Sequence, residues 1–271
     1  MRLKITHTTT YSYDSPDAYA LQQLRLIPRS GHGQQVLKWT STITGGTRQL
    51  GYDDQFDNHV ELILIDPDAM KVEIISEGVV EIENRNGVIG QHKGCAPVWL
   101  FEAATDTTAP GKALRKLVQQ LKPLPDENDL GRMHRLSRVI GEQVAYRPGQ
   151  TNAATTAEDA LEAGHGVCQD HAHIMIASAR MMGFAARYVS GYLLMDDTED
   201  QDASHAWCEI WVEPLGWVGF DISNAVCPDD RYVRVAVGRD YRDAAPVHGI
   251  RQGSGTEDLH VALKVQQQTD Q

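Results

Sequence analysis

The chain has 271 residues and carries 25 lysines and arginines against 37 aspartates and glutamates, so its formal net charge is −12. This length allows one large domain or two small ones with a sizeable hydrophobic core. The excess of acidic residues repels phosphate backbones and anionic lipids, which disfavours nucleic-acid binding and peripheral membrane binding. The composition therefore indicates an acidic globular protein that binds neither nucleic acid nor membranes.

The cysteines and the N-terminus suggest a compartment. No two cysteines form a CxxC pair, which argues against a disulfide scaffold or a structural zinc site and favours reducing conditions. The four are Cys95, Cys168, Cys208 and Cys227. The first fifteen residues, MRLKITHTTTYSYDS, lack the apolar core of a signal peptide. No stretch reaches the roughly 18 apolar residues of a membrane helix. We therefore expect a cytoplasmic location.

The first hundred residues have the pattern of β-strands. Apolar and polar residues alternate around Leu3 and Ile5 and again from residue 70 to 82, and the run from residue 60 to 65 is rich in branched residues. Glycine, proline, asparagine and aspartate cluster between these runs and indicate turns. This spacing predicts an N-terminal antiparallel β domain, similar to a sandwich, over residues 1–105.

The periodicity changes after residue 105. Apolar positions at helical spacing predict four helices, over residues 110–121, about 129–144, 157–163 and about 167–182. Strand-like runs follow at residues 185–194, 205–212, 217–220, 232–237 and 259–265. Helices followed by strands predict an α+β domain over residues 106–271.

The segment that carries the most chemical information is GHGVCQDH, residues 164–171. Its glycines allow a sharp turn, and a helix is predicted to begin close to Cys168. Unpaired N–H groups and the helix dipole at that position favour a thiolate over a thiol and can receive a developing oxyanion. On its own this signal is weak, because a cysteine that starts an apolar helix is more often a small core residue.

Two partners for this cysteine occur further along the chain. His205 opens one predicted strand, and Asp221 follows the end of the next. A hairpin of these strands would bring the imidazole and the carboxylate side by side. If the Cys168 helix packs across the same sheet, a nucleophile, a base and an orienting group result.

Three blocks taken together resemble the core of the transglutaminase-like superfamily of cysteine peptidases and amidases. They are GHGVCQDHAHIMIASARMMGFAARYVSGYL, DASHAW and GWVGFD, and the N-terminal segment LRLIPR and the ending DLHVALKV are similar to the bacterial branch. The resemblance implies a papain-like core, a Cys-bearing helix on an antiparallel sheet, behind an N-terminal β domain. It also implies that Cys168 is the nucleophile, His205 the general base and acid, and Asp221 the group that orients the imidazole.

Two motifs depart from the family pattern. Phe56-Asp57-Asn58 stands where the family has Phe-Gly-Asn, and Ile222-Ser223-Asn224 follows Asp221 where the family has Pro-Thr-Asn. The second departure lies beside the candidate site and makes the local turn the least certain part of the resemblance.

The activity that these features indicate is cleavage of a peptide or isopeptide amide through a thioester, without cofactor or metal. Acyl transfer to an amine, as in a transglutaminase, and a non-catalytic binding module that retains the fold are the alternatives. A homo-oligomer that pairs through strand edges of the β domain is compatible with the sequence.

Several nearby residues have competing interpretations. A metal site is disfavoured, because His171 and His173 would point roughly 200° apart on a helix and the pattern matches no known ligand spacing. The residues that suggest such a site are His165, Cys168, Asp170, His171 and His173. Asp170 is interpreted as a helix cap and His173 as a buried hydrogen-bonding residue. Tyr146 and Gln169 are candidate pocket residues, although a core cap for the tyrosine and a solvent-exposed glutamine are slightly favoured. Trp207 lies on the same strand face as His205 and is a candidate wall of the cleft.

Overall fold

The computed structural model describes residues 1–15, 19–196, 198–252 and 256–268. Its strands are β1 (Arg2–Tyr13), β2 (Tyr19–Leu24), β3 (Gln34–Thr44), β4 (Gly46–Asp53), β5 (His59–Ile65), β6 (Lys71–Ile82), β7 (Val88–Gly90), β8 (Ala145–Tyr146), β9 (His165–Gly166), β10 (Ala186–Leu193), β11 (Asp200–Gln201), β12 (His205–Val212), β13 (Gly216–Phe220), β14 (Tyr232–Gly238), β15 (Val247–Gln252) and β16 (Glu257–Gln267). Its α-helices are α1 (Lys112–Gln120), α2 (Asp129–Gln143), α3 (Ala157–Ala163), α4 (Cys168–Met181) and α5 (Tyr241–Ala244).

In the part of the chain that the structure describes, the strands form three antiparallel sheets and one short parallel pair. The β1 sheet has the order β11-β16-β1-β6-β3, the β2 sheet the order β15-β2-β5-β4, and the β12 sheet the order β14-β10-β12-β13-β7. Strands β8 and β9 pair in parallel. Buried and exposed residues alternate along β1, as expected for a sheet with one face on the core.

Helix α4 packs on one face of the β12 sheet and forms the main core with it. From Asp170 to Arg180 every residue of α4 is buried. Its apolar side chains contact Ala206, Cys208 and Ile210, which point to the same face of β12 because side chains alternate along a strand. The predicted α+β fold class, with a cysteine-bearing helix on an antiparallel sheet, is thereby confirmed.

Strands near the C-terminus pair with strands near the N-terminus. Strand β16 pairs with β1, and β15 pairs with β2. In the other direction, β7 joins the β12 sheet by pairing with β13. Strands from before and after residue 105 thus share the same sheets. The division of the chain into domains of residues 1–105 and 106–271 stays a prediction.

The five α-helices of the described residues are short. Helix α2, the longest, has 15 residues. Within the described ranges, none of the helices is long and apolar enough to cross a membrane.

Candidate active site

Cys168 lies at the first position of α4, after a chain reversal that the sequence builds with glycine. Helix α3 ends at Gly164, whose φ of 69° lies in the left-handed region. The chain then pairs as β9 with β8 and enters α4. Asp170 Oδ2 accepts hydrogen bonds from Val167 N at 2.8 Å and from Thr151 Oγ1 at 2.7 Å. Asp170 therefore caps the helix, as predicted, and fixes the loop that precedes the partly buried thiol.

His205 and Asp221 meet across the β12–β13 hairpin. In this hairpin Cys208 lies opposite Phe220, so the start of β12 lies close to the residue that follows β13. The Nε2 atom of His205 is 2.6 Å from Oδ2 of Asp221, and both side chains are buried. The hairpin thus brings together the imidazole and the carboxylate that were predicted from the sequence to lie side by side.

The carboxylate of Asp221 is held by two further donors. Asn224 Nδ2 and the Tyr232 hydroxyl donate to Oδ2 at 2.7 and 2.8 Å. Burial by itself would raise the pKa of Asp221, but the hydrogen bonds and charge of His205, together with those two donors, lower it below the usual value. The side chain is therefore an ionised hydrogen-bond acceptor at neutral pH.

The imidazole of His205 joins the carboxylate to the thiol. Burial lowers the pKa of His205, but hydrogen bonds to Asp221 and to the Cys168 thiol, and the charges of both groups, raise it to about 10. Because Nε2 faces Asp221, Nδ1 is the nitrogen left to face Cys168. The imidazole therefore lies between the Asp221 carboxylate, to which it is bound at 2.6 Å, and the Cys168 thiol, which contributes to its raised pKa.

Trp207 lies beside His205, as its place on the strand predicts. The two rings are stacked, with centroids 6.2 Å apart and planes 28° apart. Tyr232 meets Trp207 edge to face at 5.4 Å. The indole N–H of Trp207 is buried and has no hydrogen-bond partner among the described residues.

His171 ties the site together in a way that the sequence did not indicate. Its Nε2 is 2.9 Å from the carbonyl oxygen of Val144, and its Nδ1 is 2.8 Å from Ser223 Oγ. Burial lowers the pKa of His171, so the ring is neutral and donates to the carbonyl while it accepts from the hydroxyl. This ring links α4 to the turn after Asp221, where the chain departs from the family motif.

The remaining candidates have varied positions. Tyr146 is 52% exposed and its ring lies 6.2 Å from that of His171, so the interpretation as a core cap is wrong. The Gln169 side chain is partly buried and approaches the Ala153 carbonyl at 3.5 Å, which does not distinguish its two interpretations. His173 is fully buried and its Nε2 accepts from Tyr241 N at 3.1 Å, as predicted. In the described part of the chain, no three His, Cys, Asp or Glu side chains are grouped to hold a metal ion.

Sequence reasoning missed two groups around Asp221. Tyr232 belongs to β14, which is not adjacent to β13 in the sheet, and nothing in the local sequence points to their contact. Asn224 carried a signal, since it occupies the asparagine position of the family motif, but no role was assigned to it. The substitutions at Ile222 and Ser223 leave the Asn224 contact to Asp221 intact.

Comparison with known proteins gives matches over most of the chain. Residues 115–222 match the family described as the transglutaminase-like superfamily, and residues 3–81 match the bacterial transglutaminase-like N-terminal region. The uncharacterized protein ML0607 of Mycobacterium leprae is 30% identical over 275 residues, which cover 97% of this chain and 98% of that one. The uncharacterized protein Rv2569c of Mycobacterium tuberculosis is 29% identical, over 92% of this chain and 87% of its own.

A solved structure has the same fold. It is that of a candidate cysteine protease from Cytophaga hutchinsonii, with a TM-score of 0.77 and 20% identity, and the match covers 100% of this chain and 92% of that one. The papain-like arrangement that the sequence predicted is thus found in an independent structure. The chain belongs to the transglutaminase-like superfamily and carries the bacterial transglutaminase-like N-terminal region ahead of its core.

Proposed function

We propose that this protein is a thiol-dependent amide hydrolase that acts on peptide or isopeptide bonds through a thioester on Cys168. The observation that carries the proposal is the buried 2.6 Å hydrogen bond between His205 and Asp221, with the Cys168 thiol close enough to His205 to help raise its pKa. A thiol, an imidazole and a buried carboxylate in this order are the groups that acyl transfer by a cysteine requires.

In the proposed mechanism, the raised pKa of His205 favours an imidazolium beside a thiolate at neutral pH. The thiolate attacks the carbonyl carbon, and the oxyanion is met by the Cys168 N–H, which has no acceptor within the helix at this first position. The imidazolium gives its proton to the leaving amine as the C–N bond breaks and the thioester remains. Neutral His205 then takes a proton from water, and the hydroxide attacks the thioester carbonyl carbon. The C–S bond breaks, the acid leaves, and the pair of Cys168 thiolate and His205 imidazolium is regenerated.

The imidazolium that forms in this cycle explains the role proposed for Asp221. Its ionised carboxylate compensates the charge of the imidazolium and fixes the ring by the bond to Nε2. With Asn224 and Tyr232 on the same oxygen, the carboxylate cannot rotate without losing three hydrogen bonds. The mechanism uses the protein's own side chains throughout.

The proposal extends to location and partners. A thiolate nucleophile must stay reduced, and the four cysteines are free. Both facts support a reducing, cytoplasmic compartment. The proposed partners are peptide or isopeptide substrates, without nucleic acid or membrane, and self-association through strand edges stays a prediction.

An active ester tests the nucleophile directly. Acylation by p-nitrophenyl acetate should release a stoichiometric burst of p-nitrophenolate and leave an acetyl group on the tryptic peptide that contains Cys168. Cys168→Ala should abolish the burst, whereas Cys95→Ala, which removes an exposed thiol, should keep it. A burst that survives Cys168→Ala would contradict the proposal by assigning acylation to another residue, and no burst in the parent would favour a non-catalytic binding module.

Peptide libraries then distinguish hydrolysis from acyl transfer. Blocked peptides are incubated with the enzyme with and without methylamine, and the products are analysed by mass spectrometry. Free carboxylic acid as the main product in both cases supports a hydrolase. N-methylamide as the main product would replace the hydrolase with an acyltransferase that uses the same Cys168 thioester.

A further inference from the structure

A cavity of about 230 Å³ lies on the face of β12 that is turned away from α4. Its lining includes Trp207 and Glu209, which alternate along the strand with the residues that pack against the helix. The opposite wall comes from the N-terminal half of the chain, from residues 29–34, 56–58 and 82–94. Among the described residues that line it are neither Cys168 nor His205 nor Asp221, so this cavity is distinct from the thiol site.

The floor of the cavity carries a net positive charge. Glu209 is fully buried and is shared by two arginines, with Arg187 Nη2 at 2.6 Å and Arg234 Nε at 3.0 Å. Arg187 is only 4% exposed, and its guanidinium lies 4.0 Å from the centre of the Trp217 ring. Two cations against one anion leave one uncompensated charge, in a position where solvent screens it poorly.

Burial and this positive charge lower the pKa of a histidine on the opposite wall. His32 lines the cavity from the N-terminal half, and its pKa is lowered to about 4, first by burial and then by the positive charges of Arg234 and Arg187, against an opposing effect of Glu209. The other acidic residues of the lining have their own partners. Asp57, Glu83 and Asp229 pair with Arg29, Arg85 and Arg231 at 3.4, 2.7 and 2.8 Å.

A hydrogen-bond donor without an acceptor lies at the same place. Trp207 is 2% exposed, and its indole N–H is buried with no partner in the described part of the chain. An indole nitrogen can only donate, so an acceptor for this group would have to come from outside the described residues.

We infer that this cavity binds the carboxylate of a ligand the size of a single amino acid, with Arg234 and the Trp207 N–H as its donors. The volume is below the roughly 300 Å³ at which pockets for drug-sized ligands begin, which limits the ligand to one residue or one side chain. A free amino acid and the acidic side chain of a peptide offer the same carboxylate. The inference does not depend on the proposed hydrolysis.

The site is joined to the thiol site by shared walls. Trp207 stacks on His205, and Tyr232, which also lines the cavity, donates to Asp221. A carboxylate that binds Trp207 therefore contacts a residue that packs directly on the imidazole.

Calorimetric titration of the full chain tests this inference. The probes are N-acetylglycine, with N-acetylglycinamide as its neutral isostere, and the blocked tripeptides acetyl-Gly-Glu-Gly-amide and acetyl-Gly-Gln-Gly-amide. At least one charged probe should bind about tenfold more tightly than its neutral counterpart, because a hydrogen bond to a charged group is lost in the isostere. Preference for N-acetylglycine indicates a free amino acid as the ligand, and preference for the glutamate tripeptide indicates a peptide side chain.

Variants locate the binding. Arg234→Gln neutralises the charge excess while leaving the Arg187–Glu209 pair, and Trp207→Phe removes the N–H while keeping an aromatic ring. Each should weaken binding of the charged probe about tenfold, whereas Arg242→Gln, at an arginine whose side chain is 68% exposed, should not. The indole ¹H–¹⁵N resonance that Trp207→Phe removes should shift when the charged probe is added to the parent. No charge preference, or undiminished binding by Arg234→Gln, would overturn the inference.

Discussion

The Tyr232 hydroxyl donates a 2.8 Å hydrogen bond to Oδ2 of Asp221, the same oxygen that lies 2.6 Å from His205 Nε2. Tyr232 comes from β14 and Asp221 from the end of β13, and two strands separate these in the sheet. The contact thus closes the site from the side that α4 does not reach. It makes the orientation of the carboxylate depend on the whole width of the β12 sheet.

Tyr232→Phe should slow the reaction and shift its pH dependence. The hydroxyl is one of the groups that lower the pKa of Asp221, so its removal raises that pKa. The acid limb of the kcat/KM profile should therefore move to higher pH. Loss of a buried hydrogen bond to a charged acceptor should also reduce the free energy of unfolding by about 1.5–3 kcal/mol.

Tyr192→Phe is the matched control for this variant. Tyr192 is also buried in the β12 sheet, but its hydroxyl bonds to His7 Nδ1 at 3.0 Å. It should lower stability and leave the pH profile unchanged. Equal shifts in the two variants would mean that Tyr232 acts only through stability.

Alkylation rates should identify Cys168 among the four cysteines. Cys95 is exposed and Cys168 only partly buried, so accessibility alone predicts that Cys95 reacts with iodoacetamide faster. The imidazolium of His205 and the start of α4 favour the reactive thiolate at Cys168, and we expect the reverse order at pH 7. His205→Ala should slow Cys168 and leave Cys95 unchanged, as measured by peptide mapping. Faster labelling of Cys95 in the parent would argue against an activated nucleophile.

Removal of the thiol should lower the pKa of His205. The hydrogen bond and the charge of Cys168 are two of the causes that raise this pKa to about 10 from the ordinary 6.5, so in Cys168→Ala it should be lower. NMR titration of the ring nitrogens measures the change. A raised folded-state pKa adds stability that is complete below 6.5 and is lost as the pH rises to about 10. In Cys168→Ala that loss should still begin near pH 6.5 but end at a lower pH than in the parent. An unchanged His205 titration would rule out the contact.

The buried charges beneath the cavity should be costly to break. Glu209→Gln leaves Arg187 and Arg234 without their shared carboxylate, and we expect a loss of about 3–5 kcal/mol in unfolding free energy, measured by urea denaturation. Glu83→Gln breaks an exposed pair with Arg85 and should cost less than about 1 kcal/mol. Similar losses in the two variants would show that Glu209 is compensated in another way.

The local parts of the site were predictable because each depends on a short stretch of sequence. The helical pattern before Gly183 and the glycines at 164 and 166 placed Cys168 at a helix start, and the structure begins α4 at that residue. Alternation from residue 205 to 212 and from 217 to 220 predicted the hairpin that joins His205 to Asp221, and family resemblance supplied the pairing of the three groups.

The non-local parts could not be predicted, because distant segments come together in them. Tyr232 looked like an ordinary strand residue, since its contact with Asp221 depends on the strand order of the sheet. His171 was considered only as a metal ligand, an interpretation that the sequence disfavours, whereas its ring bridges Val144 and Ser223. The cavity is lined by residues 187, 209 and 234 together with residues from the first hundred of the chain. No local sequence pattern indicates that these segments lie side by side.

Asp221→Asn should nearly abolish activity while leaving the fold in place. The asparagine fits the volume of the aspartate, but its amide is uncharged and can present an N–H to a ring nitrogen that now donates to a carboxylate. His205 would then lose the charge that stabilises its imidazolium, and its pKa would fall, because Asp221 contributes both a hydrogen bond and a charge to the rise. By analogy with the loss of the aspartate in serine protease triads, we expect kcat to drop by about 10⁴-fold.

The measurements are the turnover of a cleavable peptide and circular dichroism. Asn224→Ala removes a weaker partner of the same oxygen and should lower kcat far less. Activity of Asp221→Asn close to that of the parent would remove Asp221 from the proposed mechanism.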